Sequence, residues 1–214
     1  MKNNSIIIYG GSFDPIHNGH INVANNIQNN LNFKKILFVP CKHSKFKYHK
    51  NFATDMQRIE MLKLAFLENK KNFSINYYEL NKKTPSYTYV TLKYLRNKFG
   101  IHTPISMVMG TDVFNTIQFW FSWKKILNLS NLIIINRAGI TINYSKTIKA
   151  LIHKHKILDF NLLHHNTHGC IYFFNINSIY ISSRLIRKYL NKKIIKKYIP
   201  KLVRNYIFKH KIYQ

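Results

Sequence analysis

Residues Ile6 to His20 read IIIYGGSFDPIHNGH, an apolar run, then two glycines, then a turn carrying two histidines. Ile6, Ile7, Ile8 and Tyr9 are β-branched or aromatic and stop at glycine, which predicts a short buried parallel strand. Gly10 and Gly11 lack a Cβ, so the backbone there can turn sharply and approach a ligand closely. From Gly19 onward Ile21, Ala24, Ile27 and Leu31 recur at spacings of three and four, which predicts a helix. His17 and His20 then stand at the mouth of that helix, where unpaired N–H groups and the helix dipole favour an anion. Imidazoles titrate near neutrality and, as imidazolium, can donate to phosphate oxygens. The stretch reads as a phosphate site.

Working outward, the same alternation repeats. Ile36–Pro40 is a second apolar run, followed by a basic loop from Cys41 to about Phe52. Asp55 to Asn69 has helical spacing, with Met56, Ile59, Leu62, Leu64, Ala65 and Phe66 predicted as its buried side and Arg58 in its first turns. Phe73–Leu80 reads as a third strand, Thr84–Thr88 as a turn, and Tyr89–Phe99 as a helix. Pro104–Met109 is the next strand, ending at Gly110-Thr111-Asp112 and followed by the aromatic segment Phe114–Trp123 and a short helix through Leu127. Asn131–Asn136 is another, closed by Arg137-Ala138-Gly139. Between Ile140 and His168 the pattern is weak, with Ile148–Ile152 a candidate helix and His164, His165 and His168 in a loop. Cys170–Asn177 reads as the last strand; helices at Ser183–Leu190 and Pro200–Phe208 precede a short tail. Apolar strands alternating with helices predict a doubly wound, Rossmann-like α/β sheet with helices on both faces. No repeat or linker divides the 214 residues, so a single domain over 1–214 is expected, with a C-terminal helical part at about 182–214. Its ligand site is expected at the C-terminal ends of the strands, where every motif above falls.

Composition narrows the functional classes. The formal net charge is +27, yet lysine, asparagine and isoleucine are inflated together throughout, and only six residues are arginine. That pattern is the imprint of AT-rich codons rather than a binding stripe, so nucleic acid is not the expected partner. The positive field still attracts nucleoside triphosphates. No apolar run is long enough to span a bilayer, the N-terminus lacks a signal-peptide layout, and Cys41 and Cys170 give no disulfide framework. A cytoplasmic enzyme, away from the membrane, is expected. The histidines at 153, 155, 164, 165 and 168 match no regular zinc spacing, so no metal site is assigned.

GGSFDPIHNGH resembles the signature of the HxGH nucleotidyltransferases. Further motifs are similar to those of one family within them, the bacterial nicotinate-nucleotide adenylyltransferases: Arg58…Met61-Leu62…Leu64-Ala65, Glu79 with Pro85-Ser86-Tyr87-Thr88 and Thr91-Leu92, Gly110-Thr111-Asp112 with Trp120 eight residues on, Arg137 in NRAG, and Ile181-Ser182-Ser183…Ile186-Arg187. The resemblance implies attack by the 5′-phosphate of nicotinate mononucleotide on the α-phosphorus of ATP, giving deamido-NAD and pyrophosphate. It implies catalytic roles for His17 and His20, and ATP binding by Gly10, Gly11, Ser12, Phe13, Gly19, Ser182, Ser183 and Arg187. It places the mononucleotide on Thr88, Asp112, Trp120, His49, Lys50 and Arg137, with Mg²⁺ accompanying ATP on phosphates and water. Two departures stand out: Arg184 where threonine is usual, and Lys47-Tyr48 in place of two prolines before His49-Lys50. Two readings compete: the same chemistry on nicotinamide mononucleotide or phosphopantetheine, and a basic nucleic-acid-binding protein.

Overall fold

The computed structural model describes residues 4–33, 35–42, 52–69, 73–137, 143–177 and 179–214. Seven parallel strands form one sheet in the order β3-β2-β1-β4-β5-β7-β6. They are β1 (Ile6–Gly11), β2 (Lys35–Pro40), β3 (Phe73–Ile75), β4 (Ile105–Gly110), β5 (Asn131–Arg137), β6 (Lys156–Ile157) and β7 (Ile171–Ile176). The helices are α1 (Asn18–Asn30), α2 (Asp55–Asn69), α3 (Thr88–Phe99), α4 (Thr111–Phe114), α5 (Lys146–His155), α6 (Leu162–His165), α7 (Ser183–Lys188) and α8 (Lys201–Lys209). The winding runs outward through β2 and β3, then reverses beyond β1 to β4 and β5. β1 and β4 therefore flank the crevice that such sheets open at their switch point.

The continuous apolar runs are explained by burial on both faces. Ile7 packs with Ile36, Phe38, Ile133 and helices α1, α2 and α8 on one side. Ile6 and Ile8 pack with Leu37, Ile105, Leu132 and helix α3 on the other. Alternate side chains of a strand face opposite ways, so a strand covered twice must be apolar at every position.

Some expectations shift. The third strand stops at Ile75, at the sheet edge, because Asn76 Oδ1 accepts the Tyr78 N–H at 2.9 Å and bends the chain. Glu79 and Leu80 turn inward and are buried as part of that turn. In α2 the buried stripe is Arg58, Ile59, Met61, Leu62 and Ala65, while Met56 is exposed. At 100° per residue Met56 falls about 120° from Leu62 and faces solvent. A two-residue strand, β6, and the short helix α6 occupy the weakly patterned stretch.

Two fully or nearly buried arginines brace the two ends of the sheet. Arg58 donates to the Ser12 carbonyl at 2.6 Å, the Cys41 carbonyl at 2.8 Å and Asp55 Oδ1 at 2.6 Å. It ties the ends of β1 and β2 to α2. Arg96 donates to the carbonyls of Thr103 (2.5 Å), Leu129 (2.5 Å) and Thr167 (2.8 Å), closing the opposite end. Burial lowers its pKa. No helix among the described residues is long and apolar enough to cross a membrane.

Candidate active site

A cavity of about 560 Å³ opens at the C-terminal ends of β1 and β4. Gly10 and Gly11 of β1, His17, Gly19 and His20 of α1, and Ser182 and Ser183 at the start of α7 line one side. His17 is the N-cap of α1, and its side chain accepts from the His20 N–H at 3.4 Å. His20 Nδ1 returns the bond, accepting from the His17 N–H at 3.3 Å. The rings stack at 3.7 Å. A ring nitrogen that accepts a backbone N–H carries no proton, so this cap fits neutral imidazoles with their protons on Nε2. Gly19 permits the arrangement, since a Cβ there would stand 3.0 Å from the His17 ring and 3.1 Å from Ile181.

The turn beneath the histidines is held from several directions. Phe13 is fully buried and takes φ 48°, its ring edge-on to His20 at 5.1 Å. Ser12 contributes its carbonyl to Arg58. Ser12 and Phe13 support the turn and are not among the residues that line the cavity. Asp14 is also fully buried. Its Oδ1 accepts from the Ala53 N–H at 3.1 Å and from the Tyr213 hydroxyl at 2.5 Å. Arg187 Nη1 donates to the Asp14 carbonyl at 2.5 Å and lies 3.9 Å from Asp14 Oδ2. Its guanidinium covers the Phe52 ring at 4.5 Å. Arg187 thus grips the base of the turn and, contrary to expectation, does not line the cavity. Ser182 caps α7 by accepting from the Leu185 N–H, and Ser183 donates to the Pro15 carbonyl at 2.9 Å. Arg184 is exposed and also outside the lining.

Thr88, Asp112 and Trp120 line the other side. Thr88 is the first residue of α3, whose N-cap Tyr87 makes no side-chain cap bond. Ser86 accepts from the Lys42 N–H at 3.2 Å, fixing the turn that leads in. Asp112 lies in α4 directly after β4, and a Cβ on Gly110 would sit 2.5 Å from its Oδ1. Trp120 is partly buried against the core on the α3 face, with the exposed rings of Phe119 and Phe121 beside it in the chain. Glu79 also lines the cavity, held by the Thr91 hydroxyl at 2.7 Å.

Arg137 is the last residue of β5, the strand beyond β4, and its side chain falls outside the described part of the structure. His49 and Lys50 lie outside the described residues. Of the histidine cluster, His164 donates from Nε2 to the Leu31 carbonyl and bonds the Ser5 hydroxyl through Nδ1, and His155 donates from Nδ1 to the Gly169 carbonyl. Among the described residues no group of three or more His, Cys, Asp or Glu is arranged to hold a metal.

Sequence reasoning named Asp14, Arg58 and Glu79 only as motif residues without a role, and gave Tyr213 no part in the site or its support. Arg58 carried a readable signal: it falls on the same stripe as Met61, Leu62 and Ala65, where a charge must find partners. Tyr213 carried none, being 199 residues from Asp14.

The family profile described as "Cytidylyltransferase-like" matches residues 8–189. A protein of Legionella pneumophila (strain Corby) named "Probable nicotinate-nucleotide adenylyltransferase" is 38% identical over 212 residues, 98% of this chain and 99% of that protein. One of the same name from Buchnera aphidicola subsp. Schizaphis graminum (strain Sg) is 36% identical over 208 residues, 97% of this chain and 95% of that protein. Plasmodium falciparum nicotinic acid mononucleotide adenylyltransferase complexed with NaAD superposes with a TM-score of 0.75 at 26% identity, covering 98% of this chain and 97% of that one. With a cavity at the β1/β4 switch point, the HxGH turn at its edge and relatives matched almost end to end, the chain belongs to the cytidylyltransferase-like family and, within it, to the nicotinate-nucleotide adenylyltransferases.

Proposed function

We propose that the cavity transfers AMP from ATP to nicotinate mononucleotide, releasing pyrophosphate and forming deamido-NAD. One observation carries the reading: His17 and His20 share a single cavity with Thr88, Asp112 and Trp120. A phosphate-handling set and a ring-and-ribose-handling set in one space suit a reaction that joins two nucleotides.

The transfer requires two phosphates held in line and stabilisation of the charge that builds as pyrophosphate leaves. His17 and His20 serve the second need, offering Nε2–H donors from the mouth of α1 alongside its dipole. Gly10, Gly11 and Gly19 let the chain approach the triphosphate, and Ser182 and Ser183 complete that side. Arg187 braces the base of the turn that carries the histidines. On the other side Trp120 offers a face to the pyridine ring. The α3 mouth at Thr88 suits the ring carboxylate, because its cap residue Tyr87 makes no side-chain cap bond to the first backbone N–H groups. A donor set there pairs with a carboxylate and mismatches an amide NH₂. Asp112 suits a ribose hydroxyl, Arg137 is assigned to positioning the nucleotide, and His49 and Lys50 are assigned to the mononucleotide phosphate on the family resemblance.

Mg²⁺ is the ion that ATP brings. The cavity's carboxylates are Asp112 and Glu79, the latter already held by Thr91. That donor set does not form a cage of its own, which fits an ion carried on phosphates and water. Pyrophosphate release from ATP, measured with nicotinate and with nicotinamide mononucleotide side by side, tests the proposal. Preference for the acid is expected; preference for the amide would overturn the substrate assignment.

A further inference from the structure

The histidine turn is anchored by a residue from the far end of the chain. After α8 the backbone turns back, the Ile212 N–H donating to the Ile207 carbonyl at 3.0 Å, and both Ile212 and Tyr213 are buried. Lys211 and Tyr213 take φ of 49° and 67°. Side chains other than glycine adopt such angles at a cost and keep them when their surroundings hold them there. The α8 docking that sets up this turn is itself fixed. Glu68 of α2 accepts from the Lys201 N–H at 3.2 Å and also from the Leu202 N–H, supplying the cap that Pro200 lacks.

The end point of this route is Asp14, three residues before His17. Four groups from three separate segments converge on Asp14-Pro15: the Tyr213 hydroxyl, the Ala53 N–H, Arg187 and the Ser183 hydroxyl. Burial, and then the Asp14 carboxylate beside it, pushes the Tyr213 phenol far above its ordinary pKa, so it remains a donor. Tyr213 and Ala53 share Oδ1, while Arg187 faces Oδ2. A hydrogen bond to one oxygen draws charge from the carboxylate and weakens its pull on the guanidinium opposite.

We propose that Tyr213 is a positioning residue for the ATP half of the site, acting through Asp14 on two groups together. It sets the height of the turn that presents His17 and His20, and it moderates the hold of Asp14 on Arg187. The proposal rests on the adenylyltransferase reading given above.

Tyr213→Phe removes only the hydroxyl and keeps the buried ring. The expected result is a kcat lowered about three- to tenfold and a KM for ATP raised by a similar factor. The KM for nicotinate mononucleotide should stay unchanged, because Thr88, Asp112 and Trp120 stand on other elements. Binding of a non-hydrolysable ATP analogue, followed by calorimetry without the acceptor, should weaken by the same factor. A purely structural role would reduce the folded fraction, lowering apparent turnover with both KM values and analogue affinity unchanged; that result overturns the proposal, as does wild-type behaviour throughout. If Tyr213→Phe does not fold, Asp14→Asn, which keeps the acceptor oxygen and removes the charge, is judged by the same split. Wild-type protein inactive with ATP and nicotinate mononucleotide would instead refute the underlying function, and analogue binding still judges Tyr213.

Discussion

Of the helices that open on the cavity, α1 and α3 treat their first turns in opposite ways. At α1 the histidines close the turn themselves, each Nδ1 taking the other residue's backbone N–H. At α3 the cap residue Tyr87 offers nothing from its side chain, and Thr88 faces the cavity. Both mouths point the positive end of a helix dipole at the site. The first closes its opening turn with two ring nitrogens; the second makes no side-chain cap bond. In the proposed reaction the first suits a transition state that needs hydrogen-bond donors, and the second a ground-state carboxylate that must be distinguished from an amide.

The largest effect is expected at the closed mouth. His20→Ala removes a donor and half of the mutual cap, and turnover should fall about 10²–10³-fold. Stability should fall only by the loss of a helix cap, about 1 kcal/mol. Steady-state kinetics beside a thermal melt separates the two, and retained turnover would break the comparison. At the open mouth, Thr88→Val keeps shape and removes the hydroxyl. Discrimination between nicotinate and nicotinamide mononucleotides should narrow by up to about tenfold, with turnover on the acid less affected. Competition between the two acceptors measures it; an unchanged ratio would shift recognition away from α3.

The smallest effect concerns a histidine remote from both mouths. His164 is packed against Phe33 and bonded to Ser5 and the Leu31 carbonyl. Burial lowers its pKa below 6.5, with a smaller contribution from neighbouring His165. The unfolded chain therefore takes up this proton at higher pH than the native fold does. The stability it contributes is complete above about pH 6.5 and is lost as pH falls through the native value. Urea midpoints at several pH values should decline on the acid side, and His164→Gln should flatten part of that slope without altering turnover at neutral pH.

What the sequence disclosed was local, and what it withheld was distant. Ile6–Tyr9, Ile36–Pro40 and Asn131–Asn136 were readable as strands because a strand buried on both faces leaves an unbroken apolar run. The HxGH turn was readable because glycines and histidines sit together within a few residues. The mutual cap was not, since it depends on ring rotation rather than on residue type. β3 was overextended because nothing in FSINYYEL announces that Asn76 will bend the chain. Ser12, Phe13 and Arg187 lie in the right motif, yet they hold the turn from behind. The tail looked idle because the partner of Tyr213 lies at the other end of the chain.

Arg58 and Arg96 have a consequence for how this chain tolerates its own composition. Only six of its 34 lysines and arginines are arginine, and Arg58, Arg96, Arg187 and Arg204 each grip backbone carbonyl oxygens. A lysine in place of Arg58 would keep the charge and lose the fork, leaving carbonyls of two adjacent strand ends with one donor group to share. At a few interior junctions the shape of the cation, rather than its sign, sets the spacing between neighbouring segments.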